Sequence, residues 1–399
     1  MKRHGRIDGI DIARFLALAG MMVVHLGPDS GGAGAHPSVG DLIAGGRSAT
    51  LFAFLAGLSI ALVYRHDPRG SGSAHSIAVR AGLIFLLGLG LGSMNEVGIS
   101  VILSYYGLLF LLAIPLRNMP VRTLLILSAL WALVAPILSF ALRRVVGFRE
   151  SGQAELSDLA HPWSFFLELT LDGIYPVLTW VVYLMVGLAV GQMDLRSRLI
   201  AGRLAAAGAA LLVVAYSLAG IAMWGGMIDG WTQSPRWATF FVQSHVVPTD
   251  SWTNLALLGT HTNTPLNVVG SVGSALLATG LCLLLMRSAG PLTRRASLPL
   301  RAAGSMTLTL YTAHALLNWA AHDHGYRITD GAYSEWIAQL LILTLFATIW
   351  RARFRRGPLE EVVHFLSVPR RVRASNTPSD STNEADATTP EDKAPTAVV

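Results

Sequence analysis

The sequence predicts an all-α protein, a polytopic transmembrane helical bundle of about ten spans with both termini in the cytoplasm. Three observations support this prediction. Hydrophobic residues make up 52% of the 399 residues, and charged residues only 14%, whereas a soluble domain carries roughly 25% charge. The apolar residues form runs of about 17–23, close to the ~20 that cross a ~30 Å hydrocarbon core. Short arginine-rich loops separate the runs, as in a chain that crosses a membrane repeatedly.

Each predicted span is an apolar run bounded by charged residues, glycine or proline. In chain order the spans are 9–27, 49–65, 76–94, 99–116, 121–142, 174–192, 200–222, 266–287, 303–321 and 334–352. The third and fourth need a tight turn, because only residues 95–98 separate them. The first span contains Asp11 and Arg14 and lacks a small-residue cleavage site, so we do not expect a cleavable signal peptide.

The placement of arginine predicts the orientation, because loops on the cytoplasmic side carry more Lys and Arg. With the N-terminus inside, the inner loops carry Arg65, Arg69, Arg117, Arg122, Arg196, Arg198, Arg203, Arg287, Arg294, Arg295 and Arg301, and the last span ends in Arg351, Arg353, Arg355 and Arg356. The residues that oppose this orientation are Arg47, Arg143, Arg144, Arg149, Arg236 and Arg327. The total favours two cytoplasmic termini in a multi-pass protein of the plasma or inner membrane.

The composition also divides the chain and excludes some functions. Residues 1–356 form the predicted membrane domain, 357–373 an amphipathic juxtamembrane segment, and 374–399 an acidic tail too poor in apolar residues to fold. The tail carries a charge of −4 and the remainder +10. We interpret the basic excess as loops facing anionic lipid rather than as a nucleic-acid site. Cys282 is the single cysteine, which excludes an intramolecular disulfide and a Cys-based metal cluster.

The first span carries a polar stripe. Asp11 and Arg14 are three residues apart and can pair on one helix face. His25 follows Arg14 by eleven residues, which returns it to that face about 16 Å further along the helix. A charge within a membrane helix costs roughly 2.5–3.5 kcal/mol, so such residues indicate a functional site. The alternatives are that Arg14 only anchors the helix at the headgroups and that His25 is an interfacial histidine.

The loop after this span is rich in glycine and delivers His36 eleven residues after His25. Arg47 then opens the second span, where the N–H groups of a helix N-terminus favour an anion or a developing oxyanion. The alternatives are an ordinary loop histidine and an interfacial arginine.

Further polar residues are candidates for binding an acceptor substrate. They are Asn95 and Glu96 in the tight turn, Asp172 before the sixth span, His261 at the entrance to the eighth, and Tyr311 with His314 on one face of the ninth. The alternatives are solvated turn and loop residues, and for the last two a hydrogen-bonded interior pair. The outer histidines His161, His245, His322 and His324 lack zinc-type spacing, so we expect no metal.

The run from Arg6 to Arg14, with the segment up to His25, resembles the opening of the transmembrane acyltransferase superfamily. This superfamily includes acyltransferase-3 proteins, heparan-α-glucosaminide N-acetyltransferases and YeiB-like bacterial membrane proteins. Arg14 and His25 match the acyltransferase-3 pattern of an arginine, ten residues and an essential histidine. Asp11, Arg14 and His36 match the heparan-acetylating pattern, in which an asparagine stands at the place of His25. Both His25 and His36 are therefore candidate catalysts.

Other stretches resemble the YeiB-like and heparan-acetyltransferase-like proteins, so that the resemblance covers about residues 6–365. They are residues 46–52 with 55–57, 175–180, 308–314 and 356–360. The resemblance implies transfer of an acyl group, with acetyl expected, from a cytoplasmic acyl-CoA to a hydroxyl or amine of a cell-envelope sugar or similar acceptor. A histidine would act as the base, Arg47 would stabilise the tetrahedral anion, and the inner arginines would bind the phosphates of the coenzyme.

Two other functions are compatible with a helical bundle. A transporter or exporter of a small polar solute also places ionisable groups in the membrane, although no inverted repeat is apparent in this sequence. A scaffold that binds a partner would leave Arg14, His25 and His36 unexplained.

Overall fold

The fold is described from a computed structural model, for residues 6–27, 37–94, 99–147, 152–227, 236–241, 246–324 and 333–368. Within these ranges the regular structure consists entirely of helices. The α-helices are α1 (Asp8–Leu26), α2 (Val39–Ala44), α3 (Arg47–His66), α4 (Ala74–Ser93), α5 (Leu103–Leu116), α6 (Val121–Val146), α7 (Pro162–Leu167), α8 (Val177–Gly191), α9 (Arg198–Trp224), α10 (Pro265–Ser288), α11 (Pro291–Ala296), α12 (Leu298–Gly304), α13 (Thr307–Asp323), α14 (Tyr333–Arg353) and α15 (Pro358–Ser367). A π-helical turn, Glu168–Asp172, follows α7.

The predicted all-α membrane fold is confirmed. In the described ranges, seven helical segments are long and apolar enough to cross a membrane, and an eighth is added if residues 162–172 and 177–191, bent by 51°, form one span. Helices α5 and α13 are shorter, with 14 and 17 residues. The number of spans, predicted as about ten, stays a prediction, as does the orientation.

The predicted span 303–321 is interrupted in the structure. Helix α12 ends at Gly304 and α13 begins at Thr307, with Met306 outside helical geometry at φ −137° and ψ 45°. The main chain of α1 explains the need for a glycine at this break, since a Cβ on Gly304 would lie 1.8 Å from the carbonyl oxygen of Asp11. The end of α12, just before the break, therefore packs directly on the main chain of α1.

Helix α8 lies at the centre of the bundle, with its residues from Val182 to Gly191 buried on all sides. It packs closely against α3 through small residues, as membrane helices commonly do. A Cβ on Gly187 would lie 2.0 Å from the carbonyl oxygen of Phe54. Helix α14, by contrast, exposes large apolar side chains such as Leu341 and Ile342 and packs on the bundle along one edge.

The juxtamembrane segment contains α15, which exposes Val362, Phe365 and Leu366. Its last turn contacts α4, where the Ser76 hydroxyl donates to the carbonyl of Ser367 at 2.8 Å. Its first turn contacts the start of α13 through Glu360. Residues 374–399, the predicted acidic tail, lie outside the described ranges.

Candidate active site

The N-terminal end of α1 carries a cluster of charges. The carboxylate of Asp11 is buried and pairs with Arg14 at 3.1 Å and with Arg6 at 3.1 Å. Arg14 also donates to the hydroxyl of Ser59 on α3 at 2.6 Å. The pairing of Asp11 with Arg14 is the one that their spacing on the helix predicts. These contacts join α1 to α3 and satisfy charges that would be costly inside a bundle.

The C-terminal end of α1 carries one of a pair of histidines. The Nδ1 atom of His25 lies 3.0 Å from the Nε2 atom of His314 on α13. Their ring planes are within 8° of parallel, with centroids 5.3 Å apart. His314 is fully buried and His25 partly exposed. Within the described part of the chain, Nε2 of His25 makes no hydrogen bond, so this nitrogen is available to a substrate.

Two amides hold the far side of His314. Its Nδ1 atom makes a hydrogen bond with Oε1 of Gln339 on α14. The side-chain nitrogen of Asn318, one turn along α13, lies 3.1 Å from the same Nδ1 and donates to the carbonyl of His314 at 2.7 Å. His25, His314 and Gln339 thus form one hydrogen-bonded chain across three helices.

A cavity opens beside Arg47 at the start of α3, with about 410 Å³ of empty space including the part open to solvent. Its wall is formed by Gly45, Gly46, Arg47, Thr50, Trp180, Tyr216, Phe240, Leu258, Thr260, His261, Asn267, Gly270 and Ser271. Arg47 donates to the hydroxyl of Tyr216 and to the carbonyl of Leu42. Its guanidinium also lies 5.4 Å from the ring centroid of Phe241, a cation–π arrangement. Most of these side chains are polar or aromatic, which suits a polar organic ligand.

One wall of this cavity is a loop in an uncommon conformation. His261 and Asn263 both have positive φ, at 57° and 53°, which asparagine tolerates and histidine adopts less often. The Oδ1 atom of Asn263 accepts hydrogen bonds from Trp180 at 2.9 Å and from the hydroxyl of Thr179 at 3.1 Å. The ring of His261 stacks on Trp180 within 11°. Strained main chain of this kind is often found at functional sites.

Tyr311 and Asp172 are the remaining predicted residues that the structure describes. Tyr311 and Tyr175 both donate to the carbonyl of Ser100, at 3.5 Å and 3.3 Å. Asp172 is buried at 6% exposure, so it is not a solvated turn residue. His36, Asn95 and Glu96 lie outside the described residues.

The predicted residues therefore fall into separate groups. Asp11 and Arg14 lie towards the N-terminal end of α1, and His25 pairs with His314 at its C-terminal end. Arg47 and His261 line the cavity, which His25 does not line. No group of three metal-ligating side chains occurs in the ranges that the structure describes.

Two residues beside the histidine pair, Gln339 and Asn318, were not predicted from the sequence. The signal for Gln339 was a single amide within the apolar stretch of α14, because polar side chains inside membrane helices are usually functional or join helices.

Comparison with known protein families agrees with the resemblance to membrane acyltransferases that the sequence shows. Residues 6–221 match the family described as heparan-alpha-glucosaminide N-acetyltransferase, catalytic. Residues 238–369 match a protein family of unknown function, DUF418. No individual curated protein matches the chain. The first match indicates a membrane acetyltransferase and spans more than half of the sequence. The chain therefore belongs to the heparan-alpha-glucosaminide N-acetyltransferase-like and YeiB-like family of membrane proteins.

Proposed function

We propose that this protein transfers an acyl group, with acetyl expected, from cytoplasmic acyl-CoA to a hydroxyl or amine of a cell-envelope sugar or similar acceptor. The observation that carries the proposal is the hydrogen-bonded pair of His25 and His314, in a helical bundle whose sequence matches an acetyltransferase family. An imidazole with a free nitrogen is a suitable general base for such a transfer.

In the proposed reaction His25 takes the proton of the acceptor as its oxygen or nitrogen attacks the thioester carbonyl. A carbon–oxygen or carbon–nitrogen bond forms, and the carbon–sulfur bond breaks. The proton on His25 then passes to the leaving thiolate, so the products are the acylated acceptor and free coenzyme A. Arg47 and the N–H groups at the start of α3 are suited to the negative charge of the intermediate. His36 remains a second candidate for the base.

The proposed direction of transfer rests on the arrangement of charge along α1. Asp8, one turn before Asp11 and Arg14, pairs with Arg301, one of the predicted inner arginines, which are suited to the phosphates of a cytoplasmic coenzyme. His25 lies at the opposite end of the helix. We assign the cavity beside Arg47 to the acceptor, with Tyr311, Asp172, Asn95 and Glu96 as further candidate contacts.

The test is acetyl-CoA turnover by the purified protein in lipid nanodiscs. Release of free thiol and transfer of labelled acetyl would be followed with a panel of amino sugars and neutral sugars. We expect His25→Ala to lower turnover by about 100-fold or more, as loss of a general base does. His161→Ala, an exposed histidine on the outer side, is the matched control. Equal turnover in wild type and His25→Ala would overturn the assignment of His25.

A transporter would give a different result in the same preparation. Reconstituted vesicles would then accumulate a labelled polar solute without acetyl-CoA, and no thiol would be released. Such an outcome would replace the acyltransferase proposal.

A further inference from the structure

Gln339 is an amide in the otherwise apolar middle of α14, 25 residues from the histidine that it contacts. From this contact we infer that Gln339 is a positioning residue, which sets the tautomer of His25 through His314 and leaves Nε2 of His25 free to act as a base. The expected effect on catalysis rests on the proposed function, in which His25 is the base. The tautomer itself is inferred from the hydrogen bonds and can be tested without any activity.

Oε1 of Gln339 can only accept a hydrogen bond, so Nδ1 of His314 must carry a proton. A neutral imidazole has one N–H group, and therefore Nε2 of His314 carries the lone pair. The atom facing that lone pair at 3.0 Å is Nδ1 of His25, which must donate. The single proton of neutral His25 is then at Nδ1, and its Nε2 is unprotonated.

Asn318 makes the choice of tautomer depend on Gln339. Its amide nitrogen carries two N–H groups, of which one donates to the carbonyl of His314 at 2.7 Å, and the nitrogen also lies 3.1 Å from Nδ1 of His314. If the oxygen of Gln339 is removed, the amide of Asn318 becomes the neighbour of Nδ1 and donates to it. His314 then carries its proton at Nε2 and donates to His25. The proton of His25 moves to Nε2, where it blocks the base.

Helix α14 is held so that Gln339 reaches this position. Trp336, three residues earlier and on the same face, donates its indole N–H to the carbonyl of Ala19 on α1 at 3.0 Å. Tyr333, three residues earlier again, accepts a hydrogen bond from the main chain of Gly40 at 3.3 Å. These contacts fix the outer half of α14 against α1 and α2, although most of the helix faces away from the bundle.

The direct test is the protonation of His25, measured by ¹⁵N NMR on the full-length protein in lipid vesicles. Protonated and unprotonated ring nitrogens have different chemical shifts, and the His25→Gln spectrum identifies the signals of this residue among the twelve histidines. We expect protonated Nδ1 in the wild type and protonated Nε2 in Gln339→Met. Protonated Nε2 in the wild type, or the same tautomer in both proteins, would overturn the inference even if no acetyl transfer is found.

Kinetics supply the second test. Gln339→Met should lower kcat for acetyl-CoA turnover by about 100-fold, because it removes general-base catalysis, while KM for acetyl-CoA stays the same. Gln339→Glu should recover turnover, since a carboxylate also only accepts from His314. Adding Asn318→Leu to Gln339→Met removes the competing donor and should restore part of the loss. A Gln339→Met protein as active as the wild type would refute the inference, whereas an inactive wild type would refute the proposed function instead.

Discussion

Asp11 is the more deeply buried of the two aspartates of α1, with a side chain 6% exposed. Its negative charge compensates the positive charges of two guanidinium groups, those of Arg6 and Arg14. Removing one partner of a buried ion pair leaves the other charge uncompensated, which is more costly than loss of the pair as a whole. Asp8, one turn earlier, makes a comparable pair with Arg301 at 2.7 Å, but its side chain is 30% exposed.

These two aspartates therefore form a matched test. We expect Asp11→Asn to destabilise the protein by about 2–3 kcal/mol, somewhat below the usual range for a broken buried pair because Arg14 retains 24% side-chain exposure. Asp8→Asn should cost at most about 1 kcal/mol, as for an exposed pair. Thermal unfolding midpoints in one detergent would compare them. Equal shifts in the two variants would contradict the role given to burial.

Single residues show clearly what could be predicted from the sequence. The pairing of Asp11 with Arg14 followed from a spacing of three within one helix. The contact of His25 with His314 did not, because it joins positions 289 residues apart and depends on how α1 packs on α13. Arg143 opposed the predicted orientation, and its structural role is now visible: it is buried and donates to the carbonyl of Val247 at 2.6 Å.

At the scale of elements, the break between α12 and α13 has its own stabilising contact. The main-chain N–H groups of Leu308 and Thr309 donate to one carboxylate oxygen of Glu360, at 2.8 Å and 3.2 Å. The hydroxyl of Thr309 donates to the other oxygen at 2.5 Å. A residue from α15 thus caps a helix that lacks a cap from its own chain neighbours.

We predict that Glu360→Ala destabilises the first turn of α13 by about 1–2 kcal/mol, the usual cost of losing an N-terminal cap. Hydrogen exchange at the amides of Leu308 and Thr309 would report the change. Glu361→Ala is the control, because that neighbour pairs only at the surface with Arg356. Faster exchange in the control than in Glu360→Ala would contradict this account.

The helices themselves were largely predictable, because each is a long apolar run with charged residues at its ends. The break at residues 305–306 was not, because its local sequence is as apolar as the rest of the span. Its cause lies in a neighbouring helix, where the main chain of Asp11 approaches Gly304. The turn of π-helix before α8 is a second feature that hydropathy does not encode.

At the scale of the whole molecule, the distribution of arginine predicts which face lies inside. The chain is well suited to a direct test, because its single cysteine, Cys282, is buried. Ala74 at the start of α4 and Thr253 in the loop before α10 are both exposed and lie on opposite predicted sides.

We expect Thr253→Cys to react with a membrane-impermeant maleimide in right-side-out vesicles, and Ala74→Cys to react only after detergent is added. Cys282 should leave the wild-type chain unlabelled under both conditions. Reaction of Ala74→Cys in sealed vesicles, with protection of Thr253→Cys, would reverse the proposed orientation and place His25 on the cytoplasmic side.

The contact between His25 and His314 has a consequence for inheritance. The first histidine lies in the segment that matches the acetyltransferase family, and the second lies in the segment that matches the family of unknown function. Neither segment by itself encodes the pair. A gene fragment ending at residue 221 would encode His25 without His314. We therefore expect evolution to have retained the two segments together in one chain.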